Sequence, residues 1–266
     1  MLMQGVEFGP AIQALVARRL GGSWQVSLVG AALVVRGTSG LALVDLPDLA
    51  VRAHTLPDLD TVADGVVRCL GRNAREGARP RPPAERLVPT LWRGDQLPAS
   101  LQIVRRPFVQ PLWMGYGVAE AECTLAVTAA DLKTWGLSAR DVHELALEGL
   151  RQRHVSAERV VAGSLYAWGL GTPDPEGACH VLAPEALSQL ARRIGARRFL
   201  VGLPARSIAC VLRWDREEGI PSRLDRLRGL AARYMRTAPF PLATDLLMWH
   251  DGLWEPQSHL EARRTG

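Results

Sequence analysis

Lysine is nearly missing from this chain: Lys133 is the one lysine among 32 basic residues, so arginine carries almost all the positive charge. That scarcity excludes the P-loop, whose Walker A pattern needs a lysine directly after a glycine, because Lys133 follows Leu132. Cysteine is scarce as well. The four cysteines, Cys69, Cys123, Cys179 and Cys210, form no Cys-x-x-Cys pair, which argues against a structural zinc site. A chain of 266 residues does not need disulfide staples, and three of the four stand among apolar neighbours. Reduced thiols acting as small core residues are therefore expected. No run of 18 or more apolar residues occurs, and Arg18 and Arg19 end the first apolar stretch, where a signal peptide would carry charge ahead of it. These absences lead us to expect a soluble, cytoplasmic protein without a membrane partner.

Several catalytic signatures are missing too. "HELAL" opens like a zinc-protease helix, but Leu147 stands where the second histidine would face the metal, and His143 is expected on the solvent side. No Gly-x-Ser-x-Gly elbow is present, and Ser39 in "GTSG" belongs to a turn. "GLGTPDPEG" has Asp174 where a dinucleotide-binding fingerprint wants its third glycine, so it is expected to be a loop. No metal and no cofactor follow from the sequence.

What is present builds a core. Hydrophobic residues make up 47% of the chain, enough for one large domain or two ordinary ones. Pro10 to Leu20 carries a helical stripe of Ile12, Leu15, Val16 and Leu20. Three strand-like runs follow, "WQVSLVG", "ALVVRG" and "LALVDL". Leu59, Val62, Ala63, Val66, Val67 and Leu70 then repeat at helical spacing and should cover that sheet.

Composition divides the chain into an N-terminal module over 1–71, a basic Pro-rich linker over 72–84 and a second domain over 85–266. The stretch from Arg72 to Arg86, "RNAREGARPRPPAER", which contains the linker, could meet an acidic partner. Beyond it, "RLVPTLWR", "QPLWMGYGV" and "ECTLAVTA" are predicted strands. Ser138 with Asp141 predicts a capped helix, Pro184 opens another that Gly195 stops, and Ser222 with Asp225 opens a third. "FLVGLP" and "SIACVLRW" are strands between the last two. "LLMWHDGLWEP" predicts a hairpin turning at Asp251-Gly252, which gives His250 and Asp251 a structural role. The expected class is α+β, with small antiparallel sheets covered by amphipathic helices.

Charge is unevenly spread. The chain has a net charge of +5, yet Arg192 to Arg236 alone holds 12 arginines against 4 acids, leaving the remainder at −3. Arg192, Arg193, Arg197, Arg198, Arg223, Arg226 and Arg233 are thus the candidates for binding nucleic acid or another polyanion. An ordinary surface helix gives the same pattern. Cys179 beside His180 is the remaining reactive pair, needing a partner from elsewhere such as His250 with Asp251.

In order, "LALVDLPDLAVR", "VAGSLYAW", "DPEGACHVL", "VGLPARSIACVL" and "PLATDLLMWHDGLWEP" resemble segments of the YtpQ-like bacterial proteins, a family of unknown function. The similarity spans about Val29 to Pro256. It implies a bacterial, cytoplasmic protein and transfers no site. The chain departs from the family at Ala178-Cys179-His180, where Ala-Ser-Arg is frequent, and near Ser207, where an Asp is frequent. Three functions remain open: a non-enzymatic protein-interaction module, a polyanion binder through 192–236, and an enzyme with a site assembled from dispersed residues.

Overall fold

The computed structural model describes residues 5–37, 40–56, 58–75, 79–97, 99–153, 158–161, 165–168, 177–214, 220–238, 240–243 and 245–256. Two antiparallel sheets with helices against their faces make an α+β fold. No helix among the described residues is long and apolar enough to cross a membrane. Ser39 and the Gly169–Asp174 stretch lie outside the described residues.

The first sheet is built from β1 (Gln25–Val29), β2 (Ala32–Gly37), β3 (Gly40–Asp45), β4 (Leu87–Arg93), β5 (Arg105–Pro107), β6 (Leu112–Ala119) and β7 (Thr124–Ala126). Its order is β1-β2-β3-β7-β6-β4, and β5 also pairs with β6. Pro89 is tolerated because β4 is an edge strand, where one missing backbone donor breaks no central ladder. The Pro- and Arg-rich stretch 72–84 does not separate two sheets. Val44 of β3 pairs with Leu125 of β7, so strands from either side of that stretch hydrogen-bond within one sheet.

Three helices, α1 (Gly5–Leu20), α2 (Leu46–Ala53) and α3 (Leu59–Arg75), cover one end of this sheet. Phe8, Ile12 and Val16 of α1 and Val62, Val66 and Leu70 of α3 bury against Leu33, Val35, Val44 and Leu125. Helix α1 starts five residues before Pro10, so the proline sits inside it. Helix α2 begins directly after β3 because the Asp45 carboxylate accepts the Asp48 N–H at 2.9 Å and caps it.

Two further helices follow the sheet, α4 (Ala129–Trp135) and α5 (Ala139–Gln152), each opened by a capping box, Thr128 with Asp131 and Ser138 with Asp141. Gly149 lets α5 approach closely, since a Cβ there would strike the carbonyl oxygens of Ala84 and Leu87. Where α5 faces β6, the hydroxyl of Tyr116 on β6 lies 3.1 Å from His143 Nδ1, so His143 is half-buried between strand and helix instead of facing solvent. Burial pushes the Tyr116 phenol up to about 12, which keeps it a donor. Burial, and then Arg106, hold His143 below its ordinary value.

The sign for stability follows. Above the unfolded histidine pKa of about 6.5 both states are neutral; as pH falls through that value the unfolded chain takes up a proton that folded His143 resists. Urea unfolding midpoints should decline between neutral pH and the lower folded value, and His143→Gln should flatten that decline. An equal slope in both proteins would show that another group dominates.

The second sheet contains β8 (Glu158–Val161), β9 (Leu165–Trp168), β10 (Arg198–Ala205), β11 (Ile208–Arg213), β12 (Leu246–His250) and β13 (Leu253–Pro256), in the order β13-β12-β10-β11-β9-β8. Alternation sends Phe199, Val201, Val211, Leu247 and Trp249 to one face and Leu200, Cys210, Leu212 and Met248 to the other. The second set meets Leu227 of α7 (Ile220–Thr237). The first joins the largest core, shared with Leu87 and Leu91 of β4, Val142 and Ala146 of α5, and Leu187 and Leu190 of α6 (Pro184–Ile194). The β12–β13 turn has Asp251 at φ 46 and Gly252 at φ 88, the two positive values a tight hairpin requires.

The sheets are pinned together by one buried ion pair. Arg206, in the turn after β10, pairs with Asp45 at the end of β3, and both side chains are at most 2% exposed. The Arg206 guanidinium also lies 5.0 Å from the Trp92 ring. Burial pushes the Asp45 carboxyl above its ordinary range despite Arg206. Burial pulls Arg206 down as well, but Asp45 more than reverses this and leaves it raised.

A single 3-10 segment, Gly177–Leu182, wedges between the sheets, and its Ala178 N–H donates to the Arg206 carbonyl at 2.8 Å. A Cβ on Gly177 would overlap the Ser207 carbonyl oxygen, which is backbone and cannot swing away. Gly177→Ala should therefore cost about 2–3 kcal/mol, the range of overpacked cores, measured by urea denaturation. A loss below about 0.5 kcal/mol would mean that this contact is easily relaxed.

Candidate functional site

The residues singled out as a reactive set do not meet. Cys179 and His180 are buried in the 3-10 segment, with Cys179 in the shared core. His250 pairs with Arg198 at the first residue of β10, whereas Ala178 is bonded to Arg206, just past that strand's last residue. Eight residues of extended chain separate these ends, roughly 20 Å or more at a strand's rise. His250 Nε2 lies 3.0 Å from the Asp251 carboxylate, but both are solvent-facing residues of the hairpin. Among the described residues no three His, Cys, Asp or Glu gather to hold a metal ion.

The arginine-rich segment is divided. Arg192 and Arg193 end α6, and Arg197 and Arg198 lead into β10. Arg226 and Arg233 lie exposed on α7, and Arg223 lies on the same helix. Helix α6 packs into the shared core and α7 onto the opposite face of the second sheet, so Arg192 and Arg193 are separated from the α7 arginines by that sheet, whereas Arg198 alternates with Leu200 onto the α7 side. Several of these cations serve the fold: Arg193 stacks 5.7 Å from the Tyr166 ring, and Arg213 donates to the Ile194 and Gly195 carbonyls at the end of α6.

Arginines converge instead at the Pro-rich stretch. A cavity of about 330 Å³ is lined by Arg72, Arg79, Arg81 and Arg86, with Pro80, Pro82, Pro83, Val118, Glu120 and Trp135. Helix α3 runs on to Arg75 and so brings Arg72 to this wall. The strap that follows is anchored. Arg79 Nε donates to the Asp131 carboxylate at 3.0 Å and Nη2 to the Ala126 carbonyl at 3.0 Å, while Trp135 Nε1 donates to the Arg79 carbonyl at 2.8 Å. The Arg79 guanidinium lies 5.9 Å from the Trp135 ring.

Three of the four arginines have carboxylate partners: Arg72 with Glu122, Arg79 with Asp131 and Arg86 with Glu120. Arg81 is exposed and makes no close ion pair among the described residues, although it lies near enough to the Asp141 carboxylate to act on it electrostatically. Arg79 Nη1 is a buried donor with no acceptor there either. The cavity therefore offers spare donors and positive charge beside the flat Trp135 ring and proline walls, an arrangement suited to a carboxylate or similar anionic group.

Sequence reading marked 72–84 as possible ground for an acidic partner but as a linker, and it missed Trp135 and Asp131. The density of Arg and Pro was the one local signal; the pairing of Arg79 with Asp131, 52 residues on, has none. No protein-family model, curated protein or solved structure matches the chain.

Proposed function

We propose that this is a cytoplasmic, non-enzymatic bacterial binding protein that takes an acidic segment of a partner protein into the arginine-lined cavity. The observation carrying this reading is the convergence of four arginines on one cavity in which Arg81 makes no close ion pair among the described residues and Arg79 keeps a spare buried donor. Buried donors are ordinarily satisfied, and an incoming carboxylate would supply the missing acceptor. The volume stands at the small end of the roughly 300–1,000 Å³ typical of ligand sites, enough for one or two acidic side chains and too small for a duplex. The resemblance to the YtpQ-like proteins supports the bacterial, cytoplasmic setting.

The test is fluorescence anisotropy of a labelled Glu- and Asp-rich peptide titrated with the full chain. Binding should weaken as salt rises from low to physiological strength, because much of the attraction is between solvent-facing charges. A Lys-rich peptide of equal length should not bind. Saturable binding of the two peptides alike would reject the reading. Preferential binding of an oligonucleotide would instead move the polyanion alternative forward, with Arg192, Arg193, Arg197, Arg198, Arg223, Arg226 and Arg233 as its residues.

A further inference from the structure

Two of the four cysteines face each other. Cys69 on α3 and Cys123, immediately before β7, are both fully buried, and their sulfurs lie 3.0 Å apart. A disulfide bond is about 2.0 Å long, so closing it needs a movement of about one ångström. The surrounding contacts hold the two backbones together. Glu122 pairs with Arg72 and approaches Arg68 at 3.8 Å, and Gly65 leaves room for Glu122, whose Cβ would stand 3.0 Å from an added Cβ.

We infer that Cys69 and Cys123 form a reversible disulfide on exposure to a disulfide oxidant, a covalent clamp between α3 and the β6–β7 turn beside the cavity wall that carries Arg72 and Glu120. The inference rests on the sulfur geometry and stands independently of the proposed binding function. Exchange runs in two balanced steps. The thiolate of one cysteine attacks glutathione disulfide, forms a mixed disulfide and expels one glutathione thiolate. The second cysteine's thiolate then attacks the protein sulfur of that mixed disulfide, closing the Cys69–Cys123 bond and expelling the other. Two thiols are oxidised, one glutathione disulfide is reduced, and two protons leave the protein. In a reducing cytoplasm the dithiol is the resting form, and the bridge marks oxidative exposure. The hydrogen bond between the two sulfurs, then burial, raise the Cys123 thiol well above its ordinary value. The reaction should accordingly be slow at neutral pH and faster in mild alkali.

The experiment equilibrates the full chain with glutathione disulfide in two arms, one kept native and one refolded from urea in the same buffer, so that burial cannot block exchange. Both are then alkylated in denaturant and mapped by mass spectrometry. The expected result in the refolded arm is two alkylated thiols instead of four, an intact mass lower by about 2 Da before alkylation, and one linked peptide joining residues 69 and 123. The native arm should reach the same end point more slowly. Cys210→Ser should leave the bridge intact, whereas Cys123→Ser should abolish it. Four alkylated thiols in both arms, glutathione adducts alone, or links that involve Cys179 or Cys210 would overturn the inference.

Discussion

Arg206→Met is expected to lower stability by about 3–5 kcal/mol, a large share of the roughly 5–15 kcal/mol that holds a domain folded. The reason is the charge left behind. Asp45 is sealed at 1% exposure, and without Arg206 its carboxylate has no cation facing it in the space between the sheets. It accepts the Asp48 N–H, but its second oxygen has no hydrogen-bond partner even in the native protein. The cost should appear in urea denaturation as a lower midpoint, and it should shrink at acid pH, where the stranded carboxyl can take a proton. Asp45→Asn/Arg206→Met should be more stable than Arg206→Met alone, because asparagine keeps the α2 cap and removes the buried charge. A double variant as weak as the single would show that Arg206 acts through its packing on Trp92 and not through Asp45.

Arg81→Glu should weaken acidic-peptide binding tenfold or more, a loss of about 1.4 kcal/mol or above. The change removes the arginine that makes no close ion pair among the described residues and puts a charge like the peptide's on the cavity rim. Because Arg81 is exposed and makes no ion pair among the described residues, the fold should be untouched, with stability within about 0.5 kcal/mol of wild type. Arg86→Gln, by contrast, removes a cation already held by Glu120 and the Ala119 carbonyl. It should weaken binding less and alter the salt dependence in the same direction. Equal affinities for wild type and Arg81→Glu would remove the cavity as the binding site.

Much of the fold is legible in sequence because its signals are local. The Ser138–Asp141 box, Gly195 in left-handed geometry at φ 64, and the Asp251-Gly252 hairpin depend on neighbours a few residues apart. Elements set by tertiary contact are harder to read. Helix α2 follows β3 without a gap and is only eight residues long, so its start is visible mainly through the Asp45 cap. Composition marks 72–84 as a linker because Pro and Arg look solvated there, and the anchoring of Arg79 by Asp131 and Trp135, 52 and 56 residues on, leaves no local signal. Burial of three of the four cysteines was foreseeable from apolar neighbours, but the meeting of Cys69 with Cys123 was not. The arginines of α6 and α7 are neighbours only along the chain, because the second sheet places these two helices on opposite faces.

The most direct test of the binding account is photo-crosslinking. A Glu-rich peptide carrying a photoreactive group would be irradiated with the full chain at low salt and the adducts mapped. Adducts confined to Pro80–Arg86, Arg72 and Trp135 are the predicted result. Adducts concentrated on α6 and α7, or spread evenly over the surface, would contradict it.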